Sequence, residues 1–70
     1  MRLSARNQIQ GKITQLRKGT VNTEVVIKLQ GGEELVSVIT NISAERLGLE
    51  IGKNAYTIIK ASNVMVGIDD

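Results

Sequence analysis

The sequence predicts a small all-β fold in which five strands close a Greek-key barrel, with one short helical turn between strands 3 and 4. Three observations predict it. Apolar and polar residues alternate along several short stretches, as the two-residue period of a strand requires, and glycine-containing turns separate these stretches. The chain has only 70 residues and no low-complexity or charged boundary, so residues 1–70 are expected to form a single domain. An OB-like barrel and an SH3-like barrel both fit this order of elements.

Three strands are predicted in the first half of the chain. Residues 7–16 form the first, in which Gly11 indicates a bulge or the close approach of a neighbouring backbone. Residues 21–29 form the second and alternate most clearly, so their odd-numbered side chains share one face. A tight hairpin over residues 30–33 leads into the third strand, residues 34–40, whose apolar residues on both faces predict burial on both sides.

One helical turn and two further strands are predicted in the second half. Residues 41–48 form the helical turn, in which Ser43 is the expected N-cap and Gly48 closes the turn in the left-handed conformation. Leu47 and Leu49 are expected to pack under the sheet. The remaining predicted elements are a turn over residues 50–53, a fourth strand over residues 54–60, a fifth strand over residues 64–68 and a solvated tail at Asp69 and Asp70.

The composition predicts that the chain assembles with copies of itself. A chain of this size buries only about 60% of the surface that its unfolded form exposes, and such chains usually gain stability from disulfides, a metal or oligomerisation. The sequence has no Cys and no His, and Tyr56 is its single aromatic residue, yet 41% of its residues are hydrophobic. We therefore expect an obligate homo-oligomer without a cationic metal site.

The residue types present argue against catalysis. Without Cys, His or a Gly-x-Ser-x-Gly turn, the usual pairs of nucleophile and base cannot be assembled. Glu33 and Glu34 are adjacent, and neighbouring residues of a strand face opposite sides, so their carboxylates make a poor acid–base pair. We therefore expect that the chain is not an enzyme.

Nucleic acid and membrane are also disfavoured as partners. The nine Lys and Arg residues and seven Asp and Glu residues are mixed along the chain and leave a net charge of +2. OB-like barrels bind single-stranded nucleic acid by stacking bases on aromatic side chains, and this chain offers only Tyr56. No apolar run is long enough for a membrane span or a signal peptide. The expected location is the cytoplasm.

Three polar clusters have the donors that a small anion requires. Ser4–Asn7 and Lys60–Asn63 each combine a hydroxyl, a cation and an amide around one alanine, and both kinds of cation bind oxyanions through charge-assisted hydrogen bonds. The third cluster is Thr40, Asn41 and Ser43, at the start of the predicted helical turn, where backbone N–H groups are free. From the residues alone, each cluster also fits an ordinary role as a turn cap, a strand end or a helix N-cap.

Short motifs follow one another in a fixed order along residues 2–68: Ser4–Gln8, Gly11–Lys12, Lys18–Gly19, Val21–Asn22, Ile39–Asn41, Leu47–Leu49, Gly52–Lys53 and Ile59–Gly67. In this order they resemble the molbindins, small molybdate-binding proteins built from the Mop domain, which also occurs in molybdate-responsive regulators and transporter ATPases. The resemblance implies an OB-like barrel and a hexamer arranged as a trimer of dimers. Because the chain ends shortly after Gly67, we expect a free-standing member of that family.

The resemblance also implies a site. In the molbindins, three segments meet at subunit boundaries and hold molybdate. On the matching positions of this chain they imply an oxyanion site made by the side chains or backbone N–H groups of Ser4, Ala5, Arg6, Thr40, Ser43, Lys60, Ala61 and Ser62. A possible second oxyanion site, near a three-fold axis, is the turn that contains Lys18, Gly19, Val21 and Asn22.

The implied function is binding and storage of molybdate or tungstate in the cytoplasm. Two alternatives stay open from the sequence. One is a regulatory or structural OB-like module whose bound oxyanion biases a partner. The other is a molybdopterin-binding protein, although a flat pterin ring favours an aromatic or roomy apolar pocket, for which Tyr56 alone is thin support.

Overall fold

The computed structural model describes residues 1–69, and these contain four β-strands, one α-helix and one turn of 3₁₀-helix. The elements are β1 (Asn7–Lys18), β2 (Asn22–Lys28), β3 (Glu34–Thr40), α1 (Asn41–Leu47), β4 (Asn54–Ile59) and the 3₁₀ turn (Ala61–Asn63). The strands form one antiparallel sheet in the order β3–β2–β1–β4, and the sheet curls around an apolar core. The predicted all-β class and the helix between the third and fourth strands are confirmed.

The core is centred on β1 and β2. Ile13, Val25 and Ile27 are buried, and partly buried aliphatic side chains pack against them, namely Leu16, Ile39, Leu49 and Ala55. The predicted alternation of β2 is confirmed on its odd-numbered face, where Thr23 is buried beside the two apolar residues. Val26 is buried as well, on the opposite face of the strand.

Gly11 lies at a close contact between β1 and the end of β2. A Cβ atom at this position would lie 2.6 Å from Cγ2 of Ile27 and 2.8 Å from the carbonyl oxygen of Lys28. The predicted close approach is therefore confirmed. The irregularity in the β1–β2 ladder lies further along β1, between Ile13 and Gln15.

Replacing Gly11 with alanine is expected to lower the free energy of unfolding by about 1–3 kcal/mol, because the added methyl group overpacks a well-filled contact. Urea denaturation monitored by circular dichroism measures this as a lower transition midpoint. Gly31→Ala is the matched control, since a Cβ atom built there meets only the flexible, exposed side chain of Glu33, which can move aside. Equal midpoints for the two variants would show that β1 and β2 can separate without cost.

The hairpin between β2 and β3 forms as predicted. The N–H group of Leu29 donates to the carbonyl oxygen of Glu33 over 2.7 Å, and that of Gly32 donates to Leu29 over 3.0 Å. Gly32 has a φ of 98°, which an L-residue rarely adopts. The end predicted for the first strand is wrong, however, since β1 continues to Lys18 and pairs there with Thr23.

The N-cap of α1 is Thr40, and the prediction of Ser43 is wrong. Thr40 has extended backbone angles, and its Oγ1 accepts a hydrogen bond from the Ser43 N–H over 3.1 Å. Gly48 closes the helix in the left-handed conformation as predicted, with φ 62° and ψ 41°. Leu49 packs against the core as predicted, but Leu47 does not, because 67% of its surface is exposed.

The outer face of β3 is open, so the prediction that both faces are buried is wrong for the single chain. Val36 and Val38 are each 62% exposed, whereas Leu35, Ser37 and Ile39 on the other face are half-buried. The physical reason is that the core lies on one face of a single sheet, and no described residue forms a layer over the apolar side chains of the other face.

The predicted fifth strand over residues 64–68 is also wrong for the single chain. After the 3₁₀ turn the backbone runs on without a strand assignment, and Met65, Val66 and Ile68 are 94%, 90% and 85% exposed. A strand needs a hydrogen-bonding neighbour, and this segment has none among residues 1–69. Asp69 is exposed, in keeping with a solvated tail, and Asp70 lies outside the described residues.

An apolar gap separates the two edge strands, β3 and β4. Its volume is about 320 Å³, and its lining includes Ile27, Ile39, Leu49, Ala55 and Met1. The curled sheet is therefore open on one side within the described chain. Neither helix in residues 1–69 has the length and hydrophobicity needed to cross a membrane.

Candidate functional site

The pairing of β1 with β4 brings the two ends of the chain together. Asn7 at the start of β1 is the register partner of Ile59 at the end of β4, and the Asn7 side-chain amide donates to the Ile59 carbonyl oxygen over 3.2 Å. The residues just before β1 and just after β4 consequently lie side by side. They line an open pocket of about 230 Å³, which we call the terminal pocket, formed by Ser4, Ala5, Arg6, Lys60, Ala61 and Ser62.

The terminal pocket is rich in hydrogen-bond donors. Arg6 contributes a guanidinium and Lys60 an ammonium, both exposed, and among residues 1–69 no carboxylate oxygen lies within 4.0 Å of either cation. The hydroxyls of Ser4 and Ser62 make no hydrogen bond to another described residue. The pocket thus combines two positive charges with two hydroxyls that can still donate.

The 3₁₀ turn adds backbone donors to this pocket. Its own hydrogen bonds run from the Asn63 N–H to the Lys60 carbonyl over 2.9 Å and from the Val64 N–H to the Ala61 carbonyl over 3.3 Å. The first N–H groups of such a turn have no partner inside it, so those of Ala61 and Ser62 remain available. Small side chains at these two positions leave the backbone accessible.

Thr40 and Ser43 lie elsewhere in the chain. The Thr40 hydroxyl donates to the Ser43 hydroxyl over 2.9 Å, and Ser43 lines a separate open pocket with Arg46 and Leu47. The structure therefore brings six of the eight sequence-predicted residues together in one chain and leaves these two apart. The terminal segments meet within a single chain, whereas the resemblance implied that they meet at a subunit boundary.

The strand register explains this separation. Thr40 pairs with Asn22 at the start of β2, which lies next to the end of β1. The terminal pocket lies at the start of β1, which has 12 residues. A strand rises about 3.3 Å per residue, so the two clusters are on the order of 30 Å apart along the sheet. One ion can contact both clusters only if they come from two chains.

The second predicted site is a turn whose polar groups already make hydrogen bonds within the chain. The Gly19 N–H donates to the Asn22 carbonyl over 2.7 Å, and the side-chain amide of Asn41 donates to the Gly19 and Thr20 carbonyls over 3.0 and 3.3 Å. The Lys18 ammonium lies 3.7 Å from a carboxylate oxygen of Glu45. Lys18, Gly19, Val21 and Asn22 share this turn, but one of its N–H groups and its cation are already engaged.

Sequence reasoning did not find the role of Asn41 in holding this turn. Besides its bonds to the turn carbonyls, Asn41 accepts a hydrogen bond from the buried Thr23 hydroxyl over 2.6 Å, and its backbone N–H donates to the Val21 carbonyl over 2.8 Å. No local pattern reveals these contacts, because the partners lie 18 to 22 positions away.

Comparison with known proteins gives consistent matches over nearly the whole chain. The family model described as the TOBE domain matches residues 3–66. A Haemophilus influenzae protein named as a probable molybdenum-pterin-binding protein is 46% identical over 69 residues, which cover 99% of this chain and 100% of that protein.

Two solved structures are similar in fold and sequence. The molybdate-binding protein of Sporomusa ovata has a TM-score of 0.91 and 32% identity, over 97% of this chain and 100% of that one. ModG, described as a cytoplasmic molybdate-binding protein and crystallised with molybdate bound, has a TM-score of 0.94 and 45% identity. The match covers 99% of this chain and 49% of ModG, so this chain spans about half of ModG.

Proposed function

Because the chain belongs to the TOBE domain family, and within it to the molybdate-binding proteins that its sequence resembles, we propose that it binds molybdate, or tungstate, in the terminal pocket. The observation that carries this proposal is the meeting of Arg6 and Lys60 with two serine hydroxyls in one open pocket. A tetrahedral dianion needs several converging donors and at least partial neutralisation when it leaves water. The terminal pocket offers both.

Each group has a role in this proposal. The Arg6 guanidinium is a planar fork of donors that can bind two oxygens, and the Lys60 ammonium is a compact point charge. Together they offset the two negative charges of the ion. The Ser4 and Ser62 hydroxyls and the N–H groups at Ala61 and Ser62 then fix its orientation. Binding and storage require no bond to break, so this is a proposal for a binding protein without catalysis.

The site is completed by a neighbouring chain. Thr40 and Ser43 are distant from the terminal pocket within one chain, and the strand register supports a second chain as their source. We extend the proposal accordingly to a homo-oligomer, and the resemblance to molbindins favours a hexamer built as a trimer of dimers. The Lys18–Asn22 turn would be a weaker second oxyanion site in that assembly, since Asn41 and Glu45 already engage it.

The exposed carboxy-terminal segment supports the same assembly. Residues 64–68 are mostly apolar, exposed and without a strand partner in the described chain, and the gap between β3 and β4 is lined by apolar side chains that include Ile27, Ile39 and Leu49. Two unpaired strand edges flank that gap, and such edges bind added strands. The segment of a neighbouring chain would enter the gap as a fifth strand and close a five-stranded OB-like barrel.

The cellular role that fits is storage of the oxyanion in the cytoplasm. A site shared by chains that carry no additional catalytic groups can take up and release an ion reversibly. ModG, which resembles this chain in fold and sequence, is a cytoplasmic molybdate-binding protein, and this supports the same location here.

Binding of a molybdenum–pterin compound is the second candidate, because the Haemophilus relative is named for it. The terminal pocket is lined by small and charged residues and lacks the aromatic or apolar walls that suit a bicyclic ring. Tyr56 lines the gap between β3 and β4 instead. The structure therefore favours the free oxyanion. Pterin fluorescence in the purified protein would support the second candidate.

Calorimetric titration tests the proposal against sulfate, which has the same charge and shape. The expected result is a molybdate affinity at least about 10-fold higher, because a cavity fitted to the longer metal–oxygen bonds stretches the contacts to sulfate, and each lost charge-assisted bond costs about 1.5–3 kcal/mol. Tungstate, with similar bond lengths, should bind like molybdate. Equal affinity for molybdate and sulfate would contradict selective storage.

A further inference from the structure

Two lysines lie directly opposite each other on the outer face of the sheet. Lys12 of β1 is the register partner of Lys28 of β2, which separates their Cβ atoms by about 4.5–5.5 Å. Like charges in this arrangement are destabilising. In the same row, Asn54 pairs with Lys12 on one side and Glu34 pairs with Lys28 on the other. Among residues 1–69, no carboxylate oxygen lies within 4.0 Å of either ammonium.

The lysine pair borders an open groove of about 460 Å³ on the sheet surface. This volume falls in the range of about 300–1,000 Å³ that small-molecule sites occupy. Its polar lining consists of Gln10, Lys12, Thr14, Lys28, Gln30 and Asn54. The side-chain amides of Gln10, Gln30 and Asn54 make no hydrogen bond to another described residue. The groove is therefore lined by two lysines at paired strand positions and by three side-chain amides without a described hydrogen-bond partner.

We propose that this groove binds a small organic phosphate. Lysine ammonium groups bind phosphate as point charges, and a phosphate dianion between Lys12 and Lys28 would remove their mutual repulsion. The amides can hydrogen-bond the hydroxyl or carbonyl groups of the organic part. The groove has about twice the volume of the terminal pocket, so a lone tetrahedral ion would leave the amide-lined end to water. This inference does not depend on molybdate binding.

The test is a titration of the assembled protein with ribose 5-phosphate, in which two-dimensional NMR monitors the chemical shifts of the backbone amides. The expected result is shifts confined to the groove, with an affinity reduced at least about 10-fold in Lys12→Gln and in Lys28→Gln. Inorganic phosphate in a parallel titration should bind more weakly, since it lacks the organic part. Lys53→Gln is the control, because the Lys53 ammonium is bound to the Gly48 carbonyl over 2.9 Å outside the groove, and it should bind normally.

Thermal unfolding gives a second readout without ligand. Lys12→Gln should raise the Tm by roughly 1–5 °C at low salt, because it removes the like-charged pair. A lower Tm would mean that a carboxylate of a neighbouring copy already neutralises the lysines, which would overturn the proposal. Shifts that persist unchanged in both lysine variants, shifts confined to the terminal pocket, or no shifts at millimolar ligand would each overturn it as well.

Discussion

Replacing Arg6 with alanine is expected to weaken molybdate binding by about 10- to 100-fold and to leave the assembly intact. The guanidinium supplies one of the two positive charges of the terminal pocket, and a lost charge-assisted hydrogen bond costs about 1.5–3 kcal/mol. Arg6 is exposed and makes no hydrogen bond or ion pair with another described residue, so its loss should not disturb folding. Isothermal titration calorimetry measures the affinity, and light scattering measures the mass of the assembly.

The matched control for this variant is Arg2→Ala. Arg2 is an exposed cation four positions earlier, and it does not line the terminal pocket. It should therefore change the affinity less than about 2-fold, in line with the small effect of a screened surface charge. If Arg6→Ala and Arg2→Ala bind molybdate equally well, the ion does not occupy the terminal pocket.

Mixed assemblies can test whether two chains share one site. In Arg6→Ala and Ser43→Ala homo-oligomers, every site lacks one donor. If each site takes Arg6 from one chain and Ser43 from another, refolding the two variants together at equal amounts should restore tight binding in about a quarter of the sites, because chains assort at random in a symmetric assembly. Normal binding in the Ser43→Ala homo-oligomer, or no recovery in the mixture, would contradict a site shared in this way.

Much of the fold could be predicted because local preference and tertiary environment agree. Val25 and Ile27 fall on the odd-numbered face of β2, as the two-residue period of a strand predicts, and this face is buried beside Ile13. Gly32 and Gly48 stand where the hairpin and the helix end require positive φ, with values of 98° and 62°. At both positions the backbone requires a positive φ, and the sequence has glycine, the residue that adopts it most easily.

The errors arise where the outcome depends on a partner outside the local sequence. Thr40 and Ser43 are both residue types that serve as N-caps. Which of them does so depends on where β3 ends, and it ends at Thr40, directly before the helix. Val36 and Val66 have strand propensity and apolar surface, but burial and pairing require a neighbour that the single chain lacks. The composition indicates that the chain has more apolar surface than it can bury, but it does not indicate what covers that surface.

In the candidate site, too, the chemistry of each segment could be predicted from the sequence, but its spatial position could not. Ser4–Arg6 and Lys60–Ser62 have donor chemistry that is visible in the sequence, yet taken alone each segment also suits a turn. Family resemblance grouped them, and the register of Asn7 with Ile59 gives the physical reason for their proximity. The pairing of the strands also places Thr40 at the opposite end of the sheet from these two segments. Local sequence carries no signal for that distance, because it depends on strand order.

Replacing Val66 with aspartate is expected to break the assembly and, with it, molybdate binding. Val66 is 90% exposed in the described chain, so the substitution should cost the isolated chain little. In the proposed assembly the same side chain belongs to the strand that enters the apolar gap of a neighbour, where a carboxylate would lose its water. A penalty of about 3 kcal/mol or more would raise the dissociation constant of the assembly at least about 100-fold. Sedimentation velocity over a range of concentrations measures this shift.

The control is Ile51→Asp, which adds the same charge at an aliphatic side chain that is 67% exposed in a turn and should leave the mass unchanged. Two other results are informative. If residues 64–68 fold back onto β4 of their own chain, Val66→Asp will lower the unfolding midpoint without changing the mass. If mass, stability and molybdate affinity all match those of Ile51→Asp, the carboxy-terminal segment does not enter any barrel. Only dissociation together with weakened binding supports a fifth strand, and a complete site, supplied by neighbouring chains.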